Sequence, residues 1–381
     1  MKYWRGYLTA AIFAIITWGL VQLGQNFTTL VDMVYPYVIR TLQTMLAEWS
    51  GSVDFVVWQM LLMAILLVGL SSFVLMIILK WNPFQWFGWV LAVISGIYML
   101  HTLVFGLNYF AGPISEDIRL DMVGYNVEEL TEAAEYYRDQ ANALATQVNR
   151  DSEGNVDFVD FDSLAQQTGN GFKALTYEES LSIFAGSTLP VKELAWADMF
   201  TNMGVTGVTI GLTGESAVNP NIPDICLPFS MSHEMAHRMC IAGEANANFA
   251  AFLAGMVNES IEYQYSAYFM AYRYCYYSLL NANTTETSAA AARINQGVSD
   301  ELYRDLTYYN SFFSNAGSSA GTSADDGSLF GEMTDMLVCW HIQEIVLPSL
   351  TVEELPFDPY DTTQVDLSGN VNARIPQEDG E

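Results

Sequence analysis

Lysine and arginine are scarce in this 381-residue chain: 14 in all, against 43 aspartates and glutamates, for a formal charge of −29. So acidic a surface repels a phosphate backbone, which excludes nucleic acid as a partner. Histidine is scarcer still, with four residues, and cysteine is equally rare. Four cysteines allow three pairings and require none, so they read as small buried apolar residues. No internal repeat occurs. The acidic run 151–162 lacks the ligand spacing and closing glutamate of an EF-hand loop and reads as a solvated loop.

Charge is almost missing from the first 107 residues. Only Asp32, Glu48, Asp54, Lys2, Arg5, Arg40 and Lys80 precede Leu107, so nearly the whole acidic excess lies beyond it. The runs 7–23, 55–79 and 84–107 hold no charged residue at all. A bilayer span needs about 20 such residues, which predicts three transmembrane helices joined by a loop at 25–54. Trp4, Trp18, Trp58, Trp81 and Trp86 fall near the span ends, where they serve as interfacial anchors. Lys2, Arg5 and Lys80 against the lone Arg40 place the N-terminus and the 80–83 turn in the cytoplasm. An odd number of spans then puts the rest outside. The expected organisation is a multi-pass cell-membrane protein with a membrane region at 1–107, an extracytoplasmic domain at 108–350 and an acidic, flexible tail at 351–381. The lipid bilayer is its first partner.

Within the outer domain, capping boxes at Asn126–Glu129 and Thr176–Glu179 predict helices reaching about 149 and 185. The β-branched, glycine-broken stretch 204–218 predicts one or two strands with a turn near Gly214, followed by a proline-marked loop. Helices are expected from Ser230, on to about Val257, then over 259–281 and 331–347. The fold class is α+β, mainly α.

Two of the four histidines stand four residues apart in His233-Glu-Met-Ala-His237. On a helix that spacing directs both imidazoles to one ion, and zinc favours such ligands. A catalytic zinc takes three protein ligands and keeps one position open. No third histidine follows at the H-x-x-G-x-x-H spacing, where Cys240 and Gly243 stand instead, and His101 lies in the third apolar run. Glu244 is the better third ligand. Continuing the helix would carry it about 10 Å along the axis from His237, so the chain must turn, and Gly243 is placed to end the helix. Glu234 then has the proton-moving role, taking a proton from attacking water and passing it to the leaving amine. Cys240 reads as core. His341 reads as a packed histidine with oxyanion stabilisation as its alternative. The tyrosine run 263–277 reads as packing or, alternatively, a substrate groove. Strand 204–218 is either an ordinary strand or the edge to which a peptide substrate adds.

The block Pro228 to His237 followed by Glu244-Ala-Asn-Ala-Asn248 resembles the gluzincin peptidases, whose third ligand is the glutamate of an E-x-x-A-[DN] motif. It is most similar to a bacterial membrane family known as a domain of unknown function, in which membrane helices precede a zincin-like domain. Leu107-Asn-Tyr109, Thr213-Gly-Glu215 and the segment 327–335 resemble that family's landmarks. The resemblance implies a zincin-like domain, a zinc cofactor held by His233, His237 and Glu244, Glu234 as catalytic acid and base, and a peptide or protein substrate. Asn248 is implied as a partner orienting a ligand. Where the family often has a further acid the chain has Asn246, and where it has a tyrosine the chain has Leu329 or Phe330, which leaves the oxyanion-stabilising group open. The rivals to a peptidase are a non-catalytic sensor retaining the fold and a structural site with four protein ligands.

Overall fold

The computed structural model describes residues 2–177, 181–315 and 328–349, so the expected tail at 351–381 lies outside the described residues. Four helices open the chain: α1 (Arg5–Asn26), α2 (Thr28–Ser50), α3 (Val57–Ile78) and α4 (Pro83–Val104). Of these α1, α3 and α4 are long and apolar enough to cross a membrane. Asn82 caps α4 by accepting from the Gln85 N–H at 3.1 Å, with Pro83 in the first turn, where its missing N–H does no harm.

Helix α2 corrects the expected loop at 25–54. Pro36, a residue that normally breaks helix interiors, and three charges on one segment hid it. Its buried residues Val31, Ile39, Gln43, Ala47 and Ser50 recur at helical spacing, so it folds because one stripe packs on the rest of the chain.

α1 and α4 run parallel. A Cβ on Gly6 would fall 2.4 Å from the backbone of Gly88, and Tyr7 donates to the Phe84 carbonyl, while near the other end Gly24 touches the ring of Phe110. The glycines permit this close approach. Since α3 and α4 are joined by a short turn, the C-termini of α1 and α4 and the N-terminus of α3 share one face.

On that face lies the rest of the fold. After α5 (Ile114–Asp117) comes α6 (Val127–Ala145), opened by the expected Asn126/Glu129 capping box. α7 (Phe161–Tyr177) ends where the box at 176–179 was expected to start a helix. Its real cap is Asp160, which accepts from the Ser163 N–H and hydroxyl at 3.1 and 2.8 Å. The acidic run is therefore not only solvated: it supplies a helix cap, and Asp151 closes a turn over Glu153 and Asn155. Strands β1 (Lys192–Glu193), β2 (Gly207–Ile210) and β3 (Glu215–Val218) form a sheet in the order β1-β3-β2, with α8 (Ala197–Asn202) between the first two. β3 pairs parallel to β1 and antiparallel to β2, so the expected turn near Gly214 is a hairpin and β2 is an edge. Then follow α9 (Leu227–Arg238), α10 (Glu244–Met256), α11 (Ile261–Ala282), α12 (Thr285–Gln296), α13 (Asp300–Asn315) and α14 (Ser328–His341). α9 starts three residues before Ser230, with Pro228 in its first turn. The core joins α6, α7, α9, α10, α11 and α14, and all four cysteines are free and buried.

The sheet is bolted to α2 and α3. The Glu215 carboxylate accepts from the Val57 and Trp58 N–H groups at 2.8 and 2.9 Å, capping α3. Lys192 pairs with Glu215 at 2.8 Å and donates to the Ser50 and Phe55 carbonyls. Gln59 and Ala195 exchange two hydrogen bonds, and Gln43 donates to the Gly211 carbonyl. Each of these bonds withdraws a buried polar group from an otherwise unmatched environment.

Candidate metal centre

α9 carries His233, Glu234 and His237, and α10 begins at Glu244. The turn between them exists, but its left-handed residue is Cys240, at φ +72°, and not Gly243, which is extended and precedes α10. Cys240 N–H donates to the His237 carbonyl at 2.9 Å and Ile241 N–H to the Ala236 carbonyl at 3.2 Å, the paired bonds of a left-handed helix stop usually built on glycine. Arg40 of α2 holds the same turn, donating from Nε to the Met239 carbonyl at 3.0 Å and from Nη1 to that of Ser182 at 3.1 Å.

The turn brings Glu244 back to the histidines. Its Oε2 lies 3.3 Å from His233 Nε2 and its Oε1 3.5 Å from His237 Nε2, and the three ligand atoms lie within 4.8 Å of one another. Ligands about 2.1 Å from a shared tetrahedral ion stand about 3.4 Å apart, so the spacing fits a metal. The other ring nitrogens are already engaged. His233 Nδ1 is 2.8 Å from Asn248 Oδ1, and His237 Nδ1 is 2.8 Å from the Ile241 carbonyl. Both partners are acceptors, because Asn248 Nδ2 donates to the Tyr274 hydroxyl at 3.0 Å. Each imidazole therefore keeps a proton on Nδ1 and points Nε2 at Glu244: a protonated Nε2 donates to the carboxylate, and a deprotonated one offers its lone pair to a metal, the arrangement metal ligands need.

Electrostatics follow from this packing. Burial by itself would lower the His237 imidazolium, but the Glu244 carboxylate at its Nε2 and the charge of Glu234 outweigh it, so its pKa lies above the ordinary 6.5. Burial would likewise raise Glu244, yet hydrogen bonds from His233 and His237 hold its carboxylate far below the usual range.

Glu234 is buried against the sheet. Thr209 Oγ lies 2.7 Å from its Oε2, and the Ser216 hydroxyl donates to its main-chain carbonyl at 2.8 Å. A Cβ on Gly207 would fall 2.5 Å from Glu234 Oε1, so any side chain there would push the carboxylate from its place. Thr206 O accepts from Asn219 N–H, and by antiparallel alternation the main-chain groups of Gly207 and Thr209 face away from β3, along the open edge.

Other expected residues lie elsewhere. His341 is 5 % exposed and packs on the Tyr136 and Tyr137 rings, and burial lowers its pKa to about 4. It belongs to the core, as does Cys240. The tyrosines of α11 are mostly core as well, with Tyr274 supporting Asn248. The side chains of Leu329 and Phe330 lie outside the described ones. Sequence reasoning missed Thr209, Ser216, Gly207 and Arg40, whose roles depend on sheet pairing and on α2. It also missed Tyr109 as a site residue: its phenol is raised by burial and by the Glu244 and Glu234 charges, and it shares a cavity wall with Gly243 and Asn246.

A family profile described as "Protein of unknown function (DUF3810)" matches residues 31–326, and the chain belongs to that family. A search of curated proteins found no match, and neither did a search of solved structures.

Proposed function

We propose that this member of the family is a membrane-anchored zinc peptidase of the gluzincin type, with its zincin-like domain displayed outside the cell. The observation that carries the reading is the convergence of two Nδ1-protonated imidazoles and both oxygens of one glutamate on a single point. Nitrogen and carboxylate donors in that number suit zinc with an open position. Zinc held there would supply Lewis acidity toward a carbonyl oxygen and toward water.

The residues supply the rest. Thr209 fixes Glu234 Oε2, so a proton from attacking water is taken at Oε1, over Gly207, and passed to the leaving amine. The open edge of β2 offers main-chain groups to an extended peptide beside Glu234. Tyr109, which shares a cavity wall with Gly243 beside Glu244, is the phenol we assign to steadying the negative charge that develops on the carbonyl oxygen. The outside location rests on charge: the parallel packing of α1 and α4 gathers Arg5 and Lys80 at one end, while Arg40 at the other is buried in the domain.

Glu234→Gln tests the assignment. The variant should keep its metal and lose hydrolysis of a peptide library. Unchanged hydrolysis would remove Glu234 from the mechanism, and no hydrolysis by the zinc-loaded wild type would favour a non-catalytic sensor.

A further inference from the structure

The side of α2 turned away from the domain is apolar where a water-facing helix would be polar. Leu30, Val34, Val38, Met45 and Trp49 recur at helical spacing and are 50–61 % exposed. Of the helix's charges, Asp32 accepts from the Gly112 N–H and Arg40 is buried, which leaves Glu48 alone on the outside. Something apolar covers this stripe.

The chain's own path identifies the cover. One residue separates α1 from α2 and six separate α2 from α3, and the ends of α1 and α3 that flank it lie on the same face. A helix about 34 Å long that begins and ends on one side of the bilayer lies along its surface. Its opposite stripe is fixed to the domain by Arg40 and Gln43, so the apolar stripe cannot turn inward. An amphipathic helix so placed rests in the boundary between headgroups and acyl chains.

The metal turn hangs directly on this helix. A cavity of about 400 Å³ opens beside this contact, walled by Tyr37 and Arg40 on one side and by Tyr109, Cys240 and Gly243 on the other. We propose that α2 is an interfacial helix seated in the leaflet beneath the domain, and that the metal site it carries acts on peptide segments presented at the bilayer surface. The second half rests on the peptidase reading; the first does not.

Full-length protein in nanodiscs of phosphatidylcholine and phosphatidylglycerol separates the two. Nitroxides on Val38→Cys and Met45→Cys should collide more with oxygen than with a water-soluble nickel chelate, the reverse of a label on Tyr303→Cys, which is 60 % exposed on α13. The four native thiols are buried and do not compete for label. Nickel-accessible labels at 38 and 45, or spin-spin broadening there from a second copy, would overturn the membrane placement. One peptide, offered free or lipid-anchored in the same disc, should then be cleaved about tenfold faster when anchored, through local concentration. Equal cleavage of both forms would overturn the substrate class. Cleavage of neither would sink the peptidase reading with it, while the label accessibilities still decide where α2 lies.

Discussion

The Arg40 Nε–H donates to the Met239 carbonyl at 3.0 Å, two residues beyond His237 and 199 residues away along the chain. Helix α2 thus holds the stop that aims Glu244. Arg40→Ala leaves the Met239 and Ser182 carbonyls without their charged donor, a loss of about 1.5–3 kcal/mol per buried charged bond. The expected outcome is a lower unfolding midpoint and a weaker metal site, read by thermal melts and by titration against a chelator. An unchanged metal affinity would detach α2 from the site.

Asn248 fixes the His233 tautomer through Oδ1 while Tyr274 fixes the amide. Asn248→Ala should weaken metal binding about 10–100-fold with the fold intact, the usual effect of removing a ligand's hydrogen-bond partner. Asn248→Asp keeps the acceptor and should retain most of the affinity. Calorimetric titration of both variants makes the comparison.

Gly207→Ala puts a methyl against Glu234 Oε1 and should displace the carboxylate. Hydrolysis should fall with metal content unchanged. Tyr109→Phe should lower kcat about 10²-fold and leave KM nearly constant, as removal of an oxyanion donor does. A rise in KM alone would make Tyr109 a binding residue.

The pH response has a definite sign. The raised pKa of His237 means that its protonated form stabilises the metal-free fold: the contribution is complete below 6.5 and is lost as pH rises through the folded value. The lowered pKa of Glu244 contributes above its ordinary 4.5 and is lost as pH falls through the depressed value. Metal-free protein should therefore melt lower at pH 8.5 than at pH 6. Metal affinity should run the other way, rising with pH as the His237 proton leaves. Melts with and without chelator check both directions, and a metal-free protein indifferent to pH over this range would contradict the pairing.

The parts of this site that were legible in the sequence are local. His233 and His237 share a face because helical spacing puts them there, and Glu244 followed from the distance a straight helix would impose. The Asn126 cap and the apolar spans are likewise set by neighbouring residues. The turn itself was misassigned because a left-handed cysteine is rare, so Gly243 took the role that belongs to Cys240. Helix α2 was hidden by Pro36 and by charges that only tertiary contacts satisfy. The hold of Thr209 and Ser216 on Glu234 arises from strand pairing, which no local pattern encodes.

Metal analysis of the purified full-length protein beside His237→Ala and Glu244→Gln tests the central claim most directly. The account predicts about one zinc per chain in the wild type, as one three-ligand site requires, and little or none in either variant. Equal zinc in all three proteins would contradict it.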